Sequence, residues 1–114
     1  MSKREVLLAL EGDMTNPGSQ KSGEFLAEHV LWTAQRFVAA GDRSGLIDAM
    51  QEWLRLRRDP QTMLAVKVVA KERLVELASE VRALRADVEA GRTLWRYYVR
   101  WIDDALDVIE SSGS

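Results

Sequence analysis

The chain has 114 residues, of which 46% are hydrophobic and 30% are charged. This length accommodates one small domain, and the composition is too apolar for a disordered chain. A net charge of -2 gives no general attraction to nucleic acid or to an anionic membrane. The chain has no cysteine, which excludes disulfides and thiolate metal sites and favours a cytoplasmic location. No apolar run approaches the roughly 20 residues of a membrane span, so we expect no membrane contact.

The N-terminal residues differ in composition from the rest of the chain. Residues 3–10 could form a short helix or a strand, because this apolar run is too short for its periodicity to decide. Residues 12–23 predict a loop, since glycine, proline and short polar residues cluster there. We therefore predict a short N-terminal segment with a flexible loop over residues 1–23 and a helical domain over residues 24–114.

Helix boundaries are signalled at several points in the next forty residues. A helix is predicted over residues 22–40, with Gly41 suited to follow its last turn. A second helix is predicted over roughly 44–57. The clearest boundary follows it, because Asp59 is a favourable N-cap and Pro60 suits the first position of a third helix. From Pro60 the pattern is helical through residue 90.

The second half of the chain carries an apolar heptad that continues across a glycine. Its positions are Leu74, Leu77, Val81, Leu84 and Val88, followed by Trp95, Tyr98, Ile102, Ala105 and Ile109. Such a repeat gives a helix a narrow apolar seam that needs a partner helix. We therefore expect a homo-oligomer that pairs through its C-terminal helices. The predicted oligomer interface consists of Leu74, Leu77, Val81, Leu84, Val88, Trp95, Tyr98 and Ile102.

Gly91 leaves two structures open. It can follow a helix that ends at Ala90, with Thr93 capping a last helix, or it can lie inside one long helix at a cost of about 1 kcal/mol relative to alanine. The continuous register favours the long helix, whereas the small domain favours a turn. The predicted fold is all-α: a three- or four-helix bundle with a long heptad-patterned helix or a helical hairpin in its C-terminal half.

No group of residues forms a recognisable catalytic, metal or cofactor motif, so we expect neither enzyme activity nor a bound cofactor. The stretch Gly18–Ser22 lacks the glycine that a phosphate-binding loop needs directly before its lysine. His29 is the only histidine. A site around His29 and Glu24 lacks the further partners that a general base or a metal requires.

Two groups of residues could bind a partner. The densest basic cluster is Arg55, Arg57 and Arg58. The densest aromatic group is Trp95, Tyr97, Tyr98 and Trp101, with arginines between its members. Arginines could contact phosphates, and aromatic residues interleaved with arginine can stack on bases or dominate a protein interface.

The sequence therefore predicts a non-enzymatic helical module for protein–protein interaction or oligomerisation. Its partner is a second copy or another protein. The alternative is a small oligomeric nucleic-acid-associated adaptor, such as a phage-type packaging or regulatory subunit, that contacts phosphates through Arg55, Arg57 and Arg58. The overall charge balance argues against a large electrostatic footprint on nucleic acid, so we favour the first hypothesis.

Overall fold

The computed structural model describes residues 3–15 and 23–112, which form helices and turns without a strand. Its α-helices are α1 (Lys3–Thr15), α2 (Gly23–Ala39), α3 (Arg43–Leu56), α4 (Gln61–Glu72), α5 (Ala78–Glu89) and α6 (Val99–Ser112). Short 3₁₀ turns cover Val75–Leu77 and Arg96–Tyr98. The all-α class is confirmed, whereas neither a bundle of three or four helices nor one long heptad-patterned helix is. None of the helices in these ranges has the length and apolar content to cross a membrane.

The chain divides into two compact units, Met1–Ala49 and Met50–Ser114. In the first unit α1 packs against α2. α1 continues to Thr15, so the predicted loop is helical over residues 12–15. Residues 16–22 of that loop lie outside the described residues. The observed division falls within α3, whereas the sequence predicts a division after residue 23.

Glycine in the left-handed conformation follows two of the helices. Gly41 has a φ of +87° after α2, as the sequence predicts, and Gly91 has a φ of +75° after α5. The N–H of Gly91 donates to the carbonyl of Val88 at 3.1 Å, and the N–H of Arg92 donates to the carbonyl of Asp87 at 2.9 Å. These two bonds form a Schellman motif. Of the two structures left open at Gly91, the turn is the one observed.

The helix predicted to run from Pro60 through residue 90 ends early, at Arg73. Arg73 has φ 51° and ψ 54°, which is left-handed, and the N–H of Leu74 donates to the carbonyl of Val69 at 3.0 Å. For a residue with a Cβ this conformation costs roughly 1–2 kcal/mol. The prediction missed the break because arginine, rather than glycine, occupies the left-handed position.

The start of α4 also differs from the prediction by one residue. The helix begins at Gln61, and Pro60 rather than Asp59 is the N-cap, without a side-chain hydrogen bond. The carboxylate of Asp59 instead accepts a hydrogen bond of 2.7 Å from the hydroxyl of Tyr98. This bond ties the connection before α4 to the connection before α6.

A buried threonine fixes the connection between α3 and α4. The hydroxyl of Thr62 donates to the carbonyl of Trp53 at 2.7 Å and accepts from the N–H of Arg58 at 2.9 Å. Thr62 is fully buried. A buried backbone group without a hydrogen-bond partner is costly. The Thr62 hydroxyl avoids that cost by bonding both a backbone carbonyl and a backbone N–H at the turn.

α6 is the central helix of the second unit and packs against both α4 and α5. Ion pairs join Arg85 to Asp103 and Arg82 to Glu110, so α5 and α6 run antiparallel. The buried apolar residues of these helices and the turn before α5 include Met63, Val66, Val69, Leu74, Leu77, Val81, Leu84, Val88, Ile102, Ala105, Leu106 and Ile109.

Candidate interaction surface

The predicted heptad seam is buried inside the single chain. Six of its eight predicted interface positions have at most 2% of their surface exposed: Leu74, Leu77, Val81, Leu84, Val88 and Ile102. Because the chain reverses at Gly91, α6 supplies the partner that the α5 seam needs. These six residues are core residues of the chain, and an interface between copies would have to use other positions. Of the predicted eight, Trp95 is exposed and Tyr98 is half-buried.

Four aromatic side chains form a contiguous group at the start of α6, which we call the aromatic cluster: Trp95, Tyr97, Tyr98 and Trp101. The rings of Trp95 and Tyr97 are stacked with centroids 5.1 Å apart, and those of Tyr97 and Trp101 meet edge to face at 6.0 Å. Trp95, Tyr97 and Trp101 are 66%, 53% and 43% exposed. Large aromatic side chains exposed together are typical of a binding surface.

Hydrogen bonds to the connection before α4 hold the cluster in place. The hydroxyl of Thr93 donates to the carbonyl of Arg57 at 3.3 Å, and Tyr98 donates to Asp59 as described above. The hydrogen bond to Asp59 raises the pKa of the Tyr98 phenol. Trp95 between them has extended backbone dihedrals, and its ring meets that of Tyr98 edge to face at 6.1 Å. The cluster is therefore linked to the connection before α4 mainly through Tyr98.

A groove between α4 and α6 adjoins the aromatic cluster. Its volume is about 330 Å³, and it is lined by Met63, Val66, Lys67, Ala70, Trp101, Asp104, Ala105 and Val108. The Nζ of Lys67 lies 5.8 Å from the centroid of the Trp101 ring, within the range of a cation–π contact. Trp101 belongs to both features, so the groove and the cluster form one continuous surface.

The charged residues of α6 differ between its two faces. On the face toward α5, Asp103 pairs with Arg85, and Glu110 pairs with Arg82 at 2.8 Å. Three further charged residues of α6 form no ion pair within the part of the chain that the structure describes: Arg100, Asp104 and Asp107. Asp104 lines the groove beside α4, and Asp107 borders a groove that it shares with Arg82 and Arg85 of α5. These three charged side chains are therefore exposed without a direct ion pair among the described residues.

The predicted phosphate-binding arginines are mostly engaged within the chain. Arg55 binds Glu80 at 2.5 Å, and Arg57 binds Asp87 at 2.9 Å. Arg58 is exposed. Because carboxylates balance two of the three cations, the cluster attracts phosphate less strongly than the sequence alone indicates.

These ion pairs also shift the pKa values of the carboxyl groups. The hydrogen bond from Arg55 lowers the pKa of Glu80. The hydrogen bond from Arg57, reinforced by one from Arg92, lowers the pKa of Asp87. Both carboxylates therefore remain charged at neutral pH and act as structural partners of the arginines.

The residues considered for metal or acid–base chemistry are not brought together. Within residues 3–15 and 23–112, no group of three or more His, Cys, Asp or Glu side chains is placed to hold a metal ion. His29 is half-buried on α2. The side chain of Glu24 lies outside the described residues, as does the whole stretch 18–22.

Sequence reasoning missed the groove because it depends on the fold. Its α6 side does carry a signal: Trp101, Asp104 and Val108 are spaced 3 and 4 apart and make a second stripe on one helical face, which Tyr97 in the turn before α6 extends by a further spacing of 4. Its α4 side, including Lys67, comes close only because the chain breaks at Arg73 and reverses after α5. That proximity has no local sequence signature.

Comparisons with protein-family models, curated proteins and solved structures find no match to this chain. Its function is therefore inferred from the burial, geometry and charge of its own residues.

Proposed function

We propose that this chain is a non-enzymatic helical module for protein–protein interaction and that the aromatic cluster is its binding surface. The main support is the exposure of Trp95, Tyr97 and Trp101 on a unit whose heptad seam is already buried. Tryptophan, tyrosine and arginine dominate binding energy at protein interfaces, and Arg96 and Arg100 alternate with these aromatic residues. The proposed interface thus moves from the heptad to the outward face of α6. The cytoplasmic location stays a prediction from the cysteine-free composition.

The cluster has the size of an interface centre. Burying the exposed parts of Trp95, Tyr97 and Trp101 would remove roughly 300–400 Å² from water, because a large aromatic side chain buries about 150–250 Å² in full. A stable interface buries about 800 Å² per partner. The flanking groove and the arginines of the cluster are suited to supply the remainder as a rim.

Site-specific photo-crosslinking in the full-length chain tests this proposal. A photoreactive amino acid in place of Tyr97 should give a protein adduct, with a second copy or with another protein in a cell extract. The same amino acid in place of Leu8, which is 60% exposed on α1, is the matched control. The proposal is wrong if position 97 yields no more adduct than position 8.

A nucleic-acid-associated adaptor is the second candidate, because Arg57 is bonded to the segment that leads into the aromatic cluster. Arg58 lies between Arg57 and Asp59, which are hydrogen-bonded to Thr93 and Tyr98, and bases could stack on the aromatic rings there. The ion pair of Arg57 with Asp87 weakens this candidate. Binding of single-stranded DNA should then decrease with salt and with Arg58→Glu, but not with Arg4→Glu on α1. Binding that is equal in the two variants would exclude a phosphate contact by this arginine.

A further inference from the structure

The outward stripe of α6 has a charge pattern that is complementary to itself. Along the stripe Tyr97, Trp101 and Val108 are exposed, with Asp104 between them. Beside the stripe, Arg100 and Asp107 lie seven residues apart and therefore at equivalent positions on the helix. They carry opposite charges, and neither has an ion pair within the described ranges.

This pattern fits an antiparallel copy of the same helix. In an antiparallel pair, Trp101 lies opposite Asp104 of the second copy, and Tyr97 lies opposite Val108 of the second copy. The positions that border the stripe on the same side of each helix then face each other across the pair. Arg100 therefore lies beside Asp107 of the second copy. Two-fold symmetry repeats each contact. A parallel pair instead sets Arg100 against Ala105 of the second copy, which carries no charge.

The groove adds a second charge match on the other side of the stripe. Lys67 lies over the ring of Trp101 at 5.8 Å, and it lines the groove together with Asp104. Because Asp104 of the second copy lies opposite Trp101 in the antiparallel register, it approaches Lys67. On this side of the contact the two Lys67 side chains therefore supply the positive charge that offsets the two Asp104 carboxylates, which lie close together near the two-fold axis.

We propose that the partner of the aromatic cluster is a second copy of this chain, bound through an antiparallel, two-fold symmetric contact of α6 with α6. This inference rests on the proposed function, since it names the partner of that same surface. The exposed stripe is smaller than the area of a standard interface. We therefore expect a reversible dimer whose population rises with protein concentration.

Cysteine crosslinking distinguishes the antiparallel contact from a parallel one, and the chain has no native cysteine. In the antiparallel register, two copies of residue 104 are offset along the helix axis by about 5 Å, whereas two copies of residue 111 are offset by about 25 Å. A short bismaleimide should therefore crosslink the Asp104→Cys variant and leave the Ser111→Cys variant monomeric. Crosslinking of both variants would show a parallel pair and overturn the register.

Charge reversal tests the flanking pair. We expect Arg100→Asp to weaken dimerisation roughly tenfold in sedimentation experiments, because the change places like charges together twice in the symmetric contact. Adding Asp107→Arg should restore the affinity of the native chain. Arg4→Asp on α1 is the matched control and should leave affinity unchanged. A double variant that binds as weakly as the single one would contradict the pairing.

The outcomes separate this inference from the proposed function. A chain that stays monomeric at every concentration, while a crosslinker at position 97 still captures a different protein, overturns the self-association and leaves the interaction module standing. A crosslinker at position 97 that captures nothing overturns both.

Discussion

The inward and outward faces of α6 both carry apolar and charged side chains. They differ in whether those side chains are buried and paired by the rest of the chain. The inward face buries Ile102, Ala105, Leu106 and Ile109, and the adjoining acids are paired with arginines of α5. The outward face leaves Tyr97 and Trp101 exposed, and its charged residues have no ion pair to another described residue. The strongest repeat in the sequence is thus satisfied within the chain. A heptad identifies a helix that pairs, but it does not identify the helix with which it pairs.

The largest expected effect on stability comes from shortening a buried side chain on the inward face of α6, compared with an exposed one on the outward face. Ile102→Ala removes a fully buried side chain and should lower the free energy of unfolding by about 2–5 kcal/mol. Val108→Ala shortens a side chain that is 37% exposed and should cost less than about 1 kcal/mol. Urea denaturation of both variants measures the difference. Equal losses would mean that the outward face is also part of the core.

The next effect concerns the polar part of the interior. Thr62→Val leaves the Trp53 carbonyl and the Arg58 N–H without their partner, so it should destabilise the chain by about 1–3 kcal/mol. Thr93→Val is the matched control, because Thr93 is half-buried and its hydrogen bond of 3.3 Å is long. Thermal denaturation should therefore show a clear loss for the first variant and a small one for the second. The reverse order would contradict the role given to Thr62.

The glycine-to-alanine substitution, made separately at Gly91 and at Gly12, tests the chain reversal that packs the inward face of α6 against α5. Gly91→Ala places a Cβ on a residue with a φ of +75° and should destabilise the chain by about 1 kcal/mol, although no atom lies within 4 Å of that Cβ. Gly12→Ala lies within α1 and also meets no atom, so it should stabilise by up to about 1 kcal/mol. Denaturation midpoints that move in the same direction would contradict the turn at Gly91.

The smallest effect is the contribution of paired acids to stability at low pH. The pKa of Glu80 is lowered in the folded chain, so its contribution is complete above the ordinary value of 4.5 and is lost as the pH falls through the lowered pKa. Glu80→Gln should therefore flatten the dependence of the melting temperature on pH in the acid range. An identical slope in the variant and in the native chain would show that the Arg55 pair adds no stability.

The sequence identified those features whose cause is local. Gly41 ended α2 at the predicted place, and the heptad positions from Leu74 to Val88 proved to be buried, because glycine and apolar spacing act within a few residues. The break at Arg73 was missed, since its left-handed conformation is one that arginine rarely adopts. The role of Asp59 was also missed, because Tyr98, its partner, lies 39 residues away. The aromatic cluster was recognised from its composition, whereas its exposure depended on which helix occupied the seam.

The turn at Gly91 also affects how quickly the chain can fold. It keeps the contacts between α5 and α6 local, since Arg85 and Asp103 are 18 residues apart and Arg82 and Glu110 are 28 apart. Contacts between residues that are near in sequence need only short loops to close, and proteins rich in them fold fast. We therefore expect this helical hairpin to be largely formed in the transition state for folding. Under that expectation, changes at its buried positions slow refolding more than they speed unfolding.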